Sequence, residues 1–154
     1  MVKQISKNFP NVIIKLIGPI DPLATEKIKE LENLTNVKIL GKANYDSLPQ
    51  IISTFNVGII PLIQSDKVYK LNSAKFLQYF AANIPIVSVP FYEFKEFKED
   101  VNFCISKEEF INSINKILNS EHHPINNYEK LKNWDWDNIS TTASDQLNKL
   151  LEKQ

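Results

Sequence analysis

"LNSAKFLQYFAANIPIVSVP", residues Leu71 to Pro90, decides the fold, because a helical stripe runs in it straight into an apolar strand. Phe76, Leu77, Phe80 and Ala81 fall at i, i+1, i+4 and i+5, one stripe that must face a core, so a helix is expected over residues 73–82. "IPIVSVP", Ile84 to Pro90, is apolar throughout, the pattern of a strand covered on both faces.

The same alternation extends both ways along the chain. Upstream, "NVIIKLIGPI" (Asn11 to Ile20) reads as a strand covered on both faces and closed by Gly-Pro. "ATEKIKELENL" follows as a helix with Pro22 near its start, then "NVKILGK" (Asn36 to Lys42) as a strand ending at Gly41. "YDSLPQIISTF" puts Leu48, Ile51, Ile52 and Phe55 on one helical face, with Asp46 or Ser47 as its cap and Pro49 in its first turn. "VGIIPLI" (Val57 to Ile63) is a third apolar run, followed by a polar loop, "QSDKVYKLN". Downstream, "FYEFKEFKED" is an aromatic and charged connection, "NFCIS" a weak fifth strand, and "KEEFINSINKILNS" an amphipathic helix with Phe110, Ile114 and Ile117 or Leu118 inward. "EHHPINN" reads as a loop and "ISTTASDQLNKLLEKQ" as a last helix. Apolar strands alternating with helices predict a single α/β domain, a three-layer sandwich whose mostly parallel sheet has about five strands and helices on both faces.

At 154 residues the chain is long enough for one substantial core. Hydrophobic residues at 43% and charged ones at 23% match an ordinary globular protein, and the formal net charge of zero gives no general pull on nucleic acid or anionic membrane. Cys104 is the only cysteine, so no internal disulfide forms and no oxidising compartment is needed. Without a signal-peptide run or the roughly 18 apolar residues of a membrane span, a cytoplasmic location is expected.

Glycine occurs only at Gly18, Gly41 and Gly58, which excludes both the dinucleotide fingerprint and the P-loop. The first and third strands end in "LIGPI" and "IIPLI", so the phosphoacceptor aspartate of a receiver domain is missing as well. His122 and His123 sit in a loop without metal-ligand spacing around them, and Cys104 reads as a buried small hydrophobe. Trp134 and Trp136 in "NWDWDN" are suited to packing the last helix onto the sheet or a partner domain, or to stacking on a sugar. Glu93, Glu96, Glu99 and Asp100 interleave with lysine as a solvated face does.

The stretch Lys67 to Gln78 differs in kind. Ligands of parallel α/β sheets sit outside the carboxyl ends of the strands, where the strand order reverses. Here a helix capped by Asn72 or Ser73 would aim the N–H groups of Ala74 and Lys75 outward at its positive end, an anion site to which Lys75 adds a full charge. A pyrophosphate suits it, and Gln78, sharing a face with Lys75 and Tyr79, can donate to and accept from sugar hydroxyls. Spacing alone leaves a second reading open, in which Lys75 is solvated and Gln78 is simply a good helix former.

The succession "VIIKLIGPID", "NVKILGKANYDSLPQIISTFNVGIIPLI" and "LNSAKFLQYFAANIPIVSVPF" resembles the C-terminal domain of GT-B glycosyltransferases of the group that includes family 4. The likeness covers Asn11 to Ser120 through motifs in matching order and spacing. It implies a Rossmann-like donor-binding domain, with a nucleoside diphosphate sugar as substrate and no cofactor or metal. Asn72, Ser73, Ala74 and Lys75 would face the donor diphosphate and Gln78 the ribose; Gly18, Pro19, Lys42, Ala43 and Tyr45 would line the cleft around the base. The activity implied is hexosyl-type glycosyl transfer, in surface polysaccharide synthesis at the inner face of the membrane. The resemblance assigns no catalytic residue.

Three positions depart from the family pattern: Gln78 stands where glutamate is usual, Lys70 where many members place a donor-contacting glutamate, and "AAN" replaces "AxG". The last puts Asn83 where a left-handed residue is often needed. "VKQISKNF" reads as the end of the helix that follows the family's first strand. That strand and the acceptor-binding domain are therefore expected to lie outside this chain, which alone would not transfer sugar. Two alternatives remain. One is a non-catalytic α/β module that meets a partner through aromatic surface from Phe91 to Phe97 and around Trp134; the other is a nucleotide-sugar epimerase domain.

Overall fold

The computed structural model describes residues 1–63, 73–120 and 128–151. In chain order these form α1 (Val2–Asn8), β1 (Ile14–Ile17), α2 (Thr25–Glu32), β2 (Val37–Gly41), α3 (Leu48–Ile52), β3 (Gly58–Ile60), α4 (Ala74–Ala81), β4 (Ile86–Ser88), β5 (Asn102–Phe103), α5 (Lys107–Leu118) and α6 (Trp136–Leu151). The α/β alternation expected from the sequence is present, with every described strand pairing parallel.

The described strands lie in two sheets. β1 pairs with β2, Ile14 opposite Val37 and Leu16 opposite Ile39, while β3, β4 and β5 form a second sheet with Gly58 opposite Ile86 and Val87 opposite Asn102. The five described strands thus form parallel sheets of two and three, and their union into a single sheet of about five strands is not shown. β1 and β3, whose free edges would have to meet, border a groove instead of bonding to each other.

Local chemistry explains the elements. Pro22 opens the turn before α2, where the Asp21 carboxylate accepts from the Leu23 N–H at 2.9 Å. Pro49 occupies the first turn of α3 as expected, but the cap comes from neither Asp46 nor Ser47. Asn44 instead accepts from the Asp46 N–H across a preceding helical turn. α5 begins at Ser106, whose hydroxyl accepts from the Glu109 N–H at 3.1 Å while the Glu109 carboxylate takes the Ile105 N–H at 2.8 Å. Lys3 of α1 pairs with Glu30 of α2, and that hydrogen bond holds the Glu30 carboxyl below its ordinary range.

Two apolar clusters surround the strands. On one side Ile5 of α1 and Phe110, Ile114 and Ile117 of α5 cover Ile14 and Val37 together with Val87 and Cys104, so one helical layer serves both sheets. On the other side Phe76 and Phe80 of α4 pack on Ile60 and Ile86, with Phe91, Phe94 and Phe97 completing an aromatic core. Ile86 and its neighbour Val87 thus face opposite clusters, which is why β4 is apolar at every position. β1 is not: Lys15 is exposed, and the expectation that this strand is covered on both faces fails on that residue. In the stripe of α4, Ala81 is exposed, because the helix ends there and turns to the strand.

The "FYEFKEFKED" connection is reassigned. Phe91, Phe94 and Phe97 are buried, which leaves Tyr92 as the exposed aromatic of the docking surface expected there. Trp134 lies 4.9 Å from Phe94 between ring centroids and donates its indole N–H to Glu96 at 3.0 Å. Lys130 binds the Asp100 carboxylate and the Glu96 carbonyl. These contacts tie the segment before α6 to the aromatic core. Trp136, expected to pack with Trp134, is 80% exposed.

Asn83 has φ 55°, so the left-handed turn expected between α4 and β4 is present on a non-glycine residue. Asn83→Ala is expected to lower stability by about 1 kcal/mol, since alanine lacks the polar side chain that makes this conformation tolerable. Urea unfolding of the two proteins measures it, and an unchanged midpoint would contradict the strain.

Cys104 is buried, as its apolar context suggests, and burial pushes its thiol above the ordinary range. His122, His123, Lys70, Asn72 and the "QSDKVYKLN" loop up to Asn72 lie outside the described residues.

Candidate functional site

β1 and β2 run side by side, and both end in glycine with positive φ: Gly18 just beyond β1 at 145° and Gly41 closing β2 at 67°. These conformations suit glycine, and they turn both chains away from the sheet at the same level, where the Gly18 N–H donates to the Gly41 carbonyl at 2.8 Å. Beyond that bond opens a cleft of about 320 Å³. Its floor is Ile17, Gly18 and Pro19 on one side and Lys42 and Ala43 on the other. Tyr45, held in the helical turn capped by Asn44, stands at the rim and is 75% exposed.

The opposite wall is α4, which presents Lys75, Gln78 and Tyr79 to the cleft. The stacking of Phe76 and Phe80 in the core orients that face, because residues on either side of the buried stripe then point to the cleft. Gln78 and Tyr79 are half-buried and Lys75 is exposed. Tyr79 is also packed against β3: a Cβ at Gly58 would come within 2.5 Å of its ring. Burial pushes the Tyr79 phenol above its ordinary range, so it remains a neutral O–H group at physiological pH.

Seven residues named from the sequence therefore line one cleft: Gly18, Pro19, Lys42, Ala43, Tyr45, Lys75 and Gln78. Ser73 and Ala74 begin α4 beside it without lining it. The Ser73 hydroxyl does not cap the helix, and Ser73 contributes only its carbonyl, which accepts from the Phe76 N–H at 2.9 Å. Asn72, the other expected cap, lies outside the described residues. Leu48, Ile52, Phe55 and Tyr79 complete the lining. The periodicity of "YDSLPQIISTF" marked the first three only as core-facing, and they form an apolar wall under the polar groups.

The electrostatics of the cleft are one-sided. Lys42 and Lys75 are the charged groups among its described lining residues, and no carboxylate faces them there. The N-terminal end of the α4 dipole adds to that positive field. Two ammonium groups, an amide and a phenol over an apolar floor suit an elongated anion that carries hydroxyls and a planar apolar part. Among the described residues no His, Cys, Asp and Glu group is arranged to hold a metal ion, and no described helix is long and apolar enough to cross a membrane. No protein-family model and no curated protein matches the chain.

Proposed function

We propose that this chain is the nucleotide-sugar donor-binding domain of a GT-B type glycosyltransferase, its five strands belonging to one Rossmann-like sheet. The observation that carries the proposal is the single cleft at the carboxyl ends of β1 and β2 that gathers Gly18, Pro19, Lys42, Ala43, Tyr45, Lys75 and Gln78. The resemblance set out above implies the same residues from motif order alone.

In this reading the donor diphosphate lies at the start of α4, against the Lys75 ammonium and the backbone N–H groups of Ala74 and Lys75. Gln78, one turn further along, accepts and donates to the ribose hydroxyls. Lys42, Ala43 and Pro19 flank the base, with the Tyr45 ring at the rim to stack on it. During transfer the bond between the anomeric carbon and the β-phosphate oxygen breaks, and the departing nucleoside diphosphate gains negative charge. The α4 dipole and the Lys75 ammonium stand where that charge develops. The acceptor and the remaining catalytic groups come from a second domain, and the site of action is the cytoplasmic face of the membrane.

Titration of the chain with uridine or guanosine diphosphate tests the assignment. Backbone amide resonances of Ala74, Lys75, Gln78 and of Lys42 through Tyr45 are expected to shift together. Lys75→Ala is expected to weaken binding about tenfold or more, because a charge-assisted hydrogen bond is worth about 1.5–3 kcal/mol. Millimolar nucleotide without shifts in these residues, or an unaltered affinity for Lys75→Ala, would remove the proposal.

One observation favours a non-catalytic module: α6 leaves Trp136, Leu147 and Leu151 exposed along its length, an apolar surface suited to a partner. In that reading Lys75→Ala leaves partner binding intact and the nucleotide titration is silent.

A further inference from the structure

We propose that Gly58 is a positioning residue: the absence of a side chain there seats the Tyr79 ring on β3, and that seat holds the Lys75 and Gln78 face of α4 over the cleft. The seating is independent of what the cleft binds, whereas its effect on affinity rests on the donor-binding reading above.

Space, not backbone conformation, accounts for glycine at this position. Gly18 and Gly41 have positive φ, and a Cβ on either would meet nothing within 4 Å. Gly58 has no positive φ and sits in regular parallel pairing opposite Ile86, its N–H donating to the Pro85 carbonyl at 2.9 Å. Any L-residue adopts that strand backbone, and glycine weakens a strand interior, so close approach of another group explains the residue. The approaching atoms belong to one side chain. A Cβ at Gly58 would lie 2.5 Å from Cδ2, 2.7 Å from Cγ and 3.0 Å from Cε2 of Tyr79. Non-bonded carbon atoms rest about 3.5–4.0 Å apart, so even alanine drives the ring back by about 1 Å.

The ring cannot yield by itself. Cγ lies on the axis about which the ring turns, so a ring flip leaves its contact unrelieved. Phe55 meets the ring edge-on with centroids 6.4 Å apart, and the Lys15 ammonium lies over Phe55 at 5.5 Å from its centroid. At the base of the side chain, the Tyr79 carbonyl accepts from the Ile84 N–H at 3.1 Å, which ties its backbone to the turn before β4. Displacement is therefore passed to α4. Tyr79 adjoins Gln78 and lies one turn after Lys75, between the buried stripe of Phe76 and Phe80 and the cleft face, so pushing its ring off β3 tilts that face. Binding groups have to be held within about 0.5 Å of their productive geometry, less than the displacement alanine imposes.

Amide NMR spectra of ligand-free Gly58→Ala test the seating. The Lys75 and Gln78 resonances are expected to move while those of α2, on the far side of β2, stay in place. Uridine diphosphate affinity is expected to fall about tenfold, as when a charge-assisted hydrogen bond is pulled out of reach. In a Tyr79→Ala background the added Cβ meets no ring. There Gly58→Ala is expected to leave the Lys75 and Gln78 resonances where Tyr79→Ala puts them and to keep or raise the urea midpoint, because alanine suits a strand better than glycine. Unmoved Lys75 and Gln78 resonances in Gly58→Ala overturn the inference, and so does an equal movement in α2. A midpoint lowered as much in the Tyr79→Ala background as in the wild-type one overturns it too. If Gly58→Ala alone does not fold, the double variant decides: folding restored by Tyr79→Ala supports the seating, and a double variant that fails where Tyr79→Ala folds overturns it. A wild-type chain that binds no nucleotide removes the donor-binding reading alone, since the ligand-free spectra judge the seating without it.

Discussion

Phe76→Ala is expected to remove about 3–5 kcal/mol of folding stability, read as a lowered urea midpoint with little change in slope. Phe76 is fully buried, and its ring stacks on Phe94 at 4.1 Å between centroids and on Phe103 at 6.0 Å, with Phe97 edge-on at 5.2 Å. Truncation therefore removes a large apolar surface and several aromatic pairs at once, and rings fixed from separate elements do not collapse to fill the space. The consequence reaches the cleft. Phe76 sits between Lys75 and the turn that carries Gln78 and Tyr79, so loosening its seat lets the polar wall of the cleft rotate. Phe76→Leu, which keeps most of the volume, is expected to cost clearly less. A loss below about 1 kcal/mol for Phe76→Ala would mean that α4 is anchored elsewhere.

Asn36→Ala is the second large effect, expected at about 3 kcal/mol because buried polar groups left without partners cost about 1–3 kcal/mol each. Asn36 is buried at the entrance to β2. Its amide nitrogen lies 3.2 Å from the Ser6 carbonyl, 3.0 Å from that of Phe9 and 3.1 Å from that of Val12, and its amide oxygen accepts from the Ser6 hydroxyl. One side chain thus gathers the end of α1 and the approach to β1. Alanine would strand several of these groups away from water, and the α1–β1 connection would lose its tie to β2. Asn36→Asp separates the hydrogen bonds from the volume, since a carboxylate of the same shape has no N–H to give to the carbonyls. It is expected to be at least as damaging as alanine. Thermal unfolding of both variants settles the order.

Much of the lining of the candidate cleft was legible before any coordinates, and particular residues show why. Lys75 and Gln78 were readable because helical periodicity fixes which side chains share a face once Phe76 and Phe80 are assigned to the core. Gly18 and Gly41 were readable as strand ends because an apolar run followed by glycine marks a turn. That both meet Lys42 and Tyr45 in one cleft followed from motif order, and the structure brings them together. Asn36 carried no such signal. It looked like the first residue of a strand, and its role depends on three carbonyls 24 to 30 positions away.

The aromatic connection failed for a related reason. "FYEFKEFKED" alternates phenylalanine with charge in a way that fits an exposed docking patch as well as a short turn that inserts alternate rings into a core. What selects the second is α4, which offers Phe76 to stack on Phe94 and Phe80 to meet Phe97 edge-on. The acidic residues then find local work, Glu96 holding the Trp134 indole and Asp100 the Lys130 ammonium.

By itself the sequence determined the order of strands and helices, the buried stripe of α4 and the left-handed turn at Asn83, all set by neighbours within a few positions and so by local sterics and periodicity. Only the tertiary structure decided how the described strands divide into two sheets, that β1 and β3 border one groove, and that Phe91, Phe94 and Phe97 turn inward. Strand pairing and ring packing are made between residues far apart in the chain. Their energies depend on which partners arrive, and no local pattern records that.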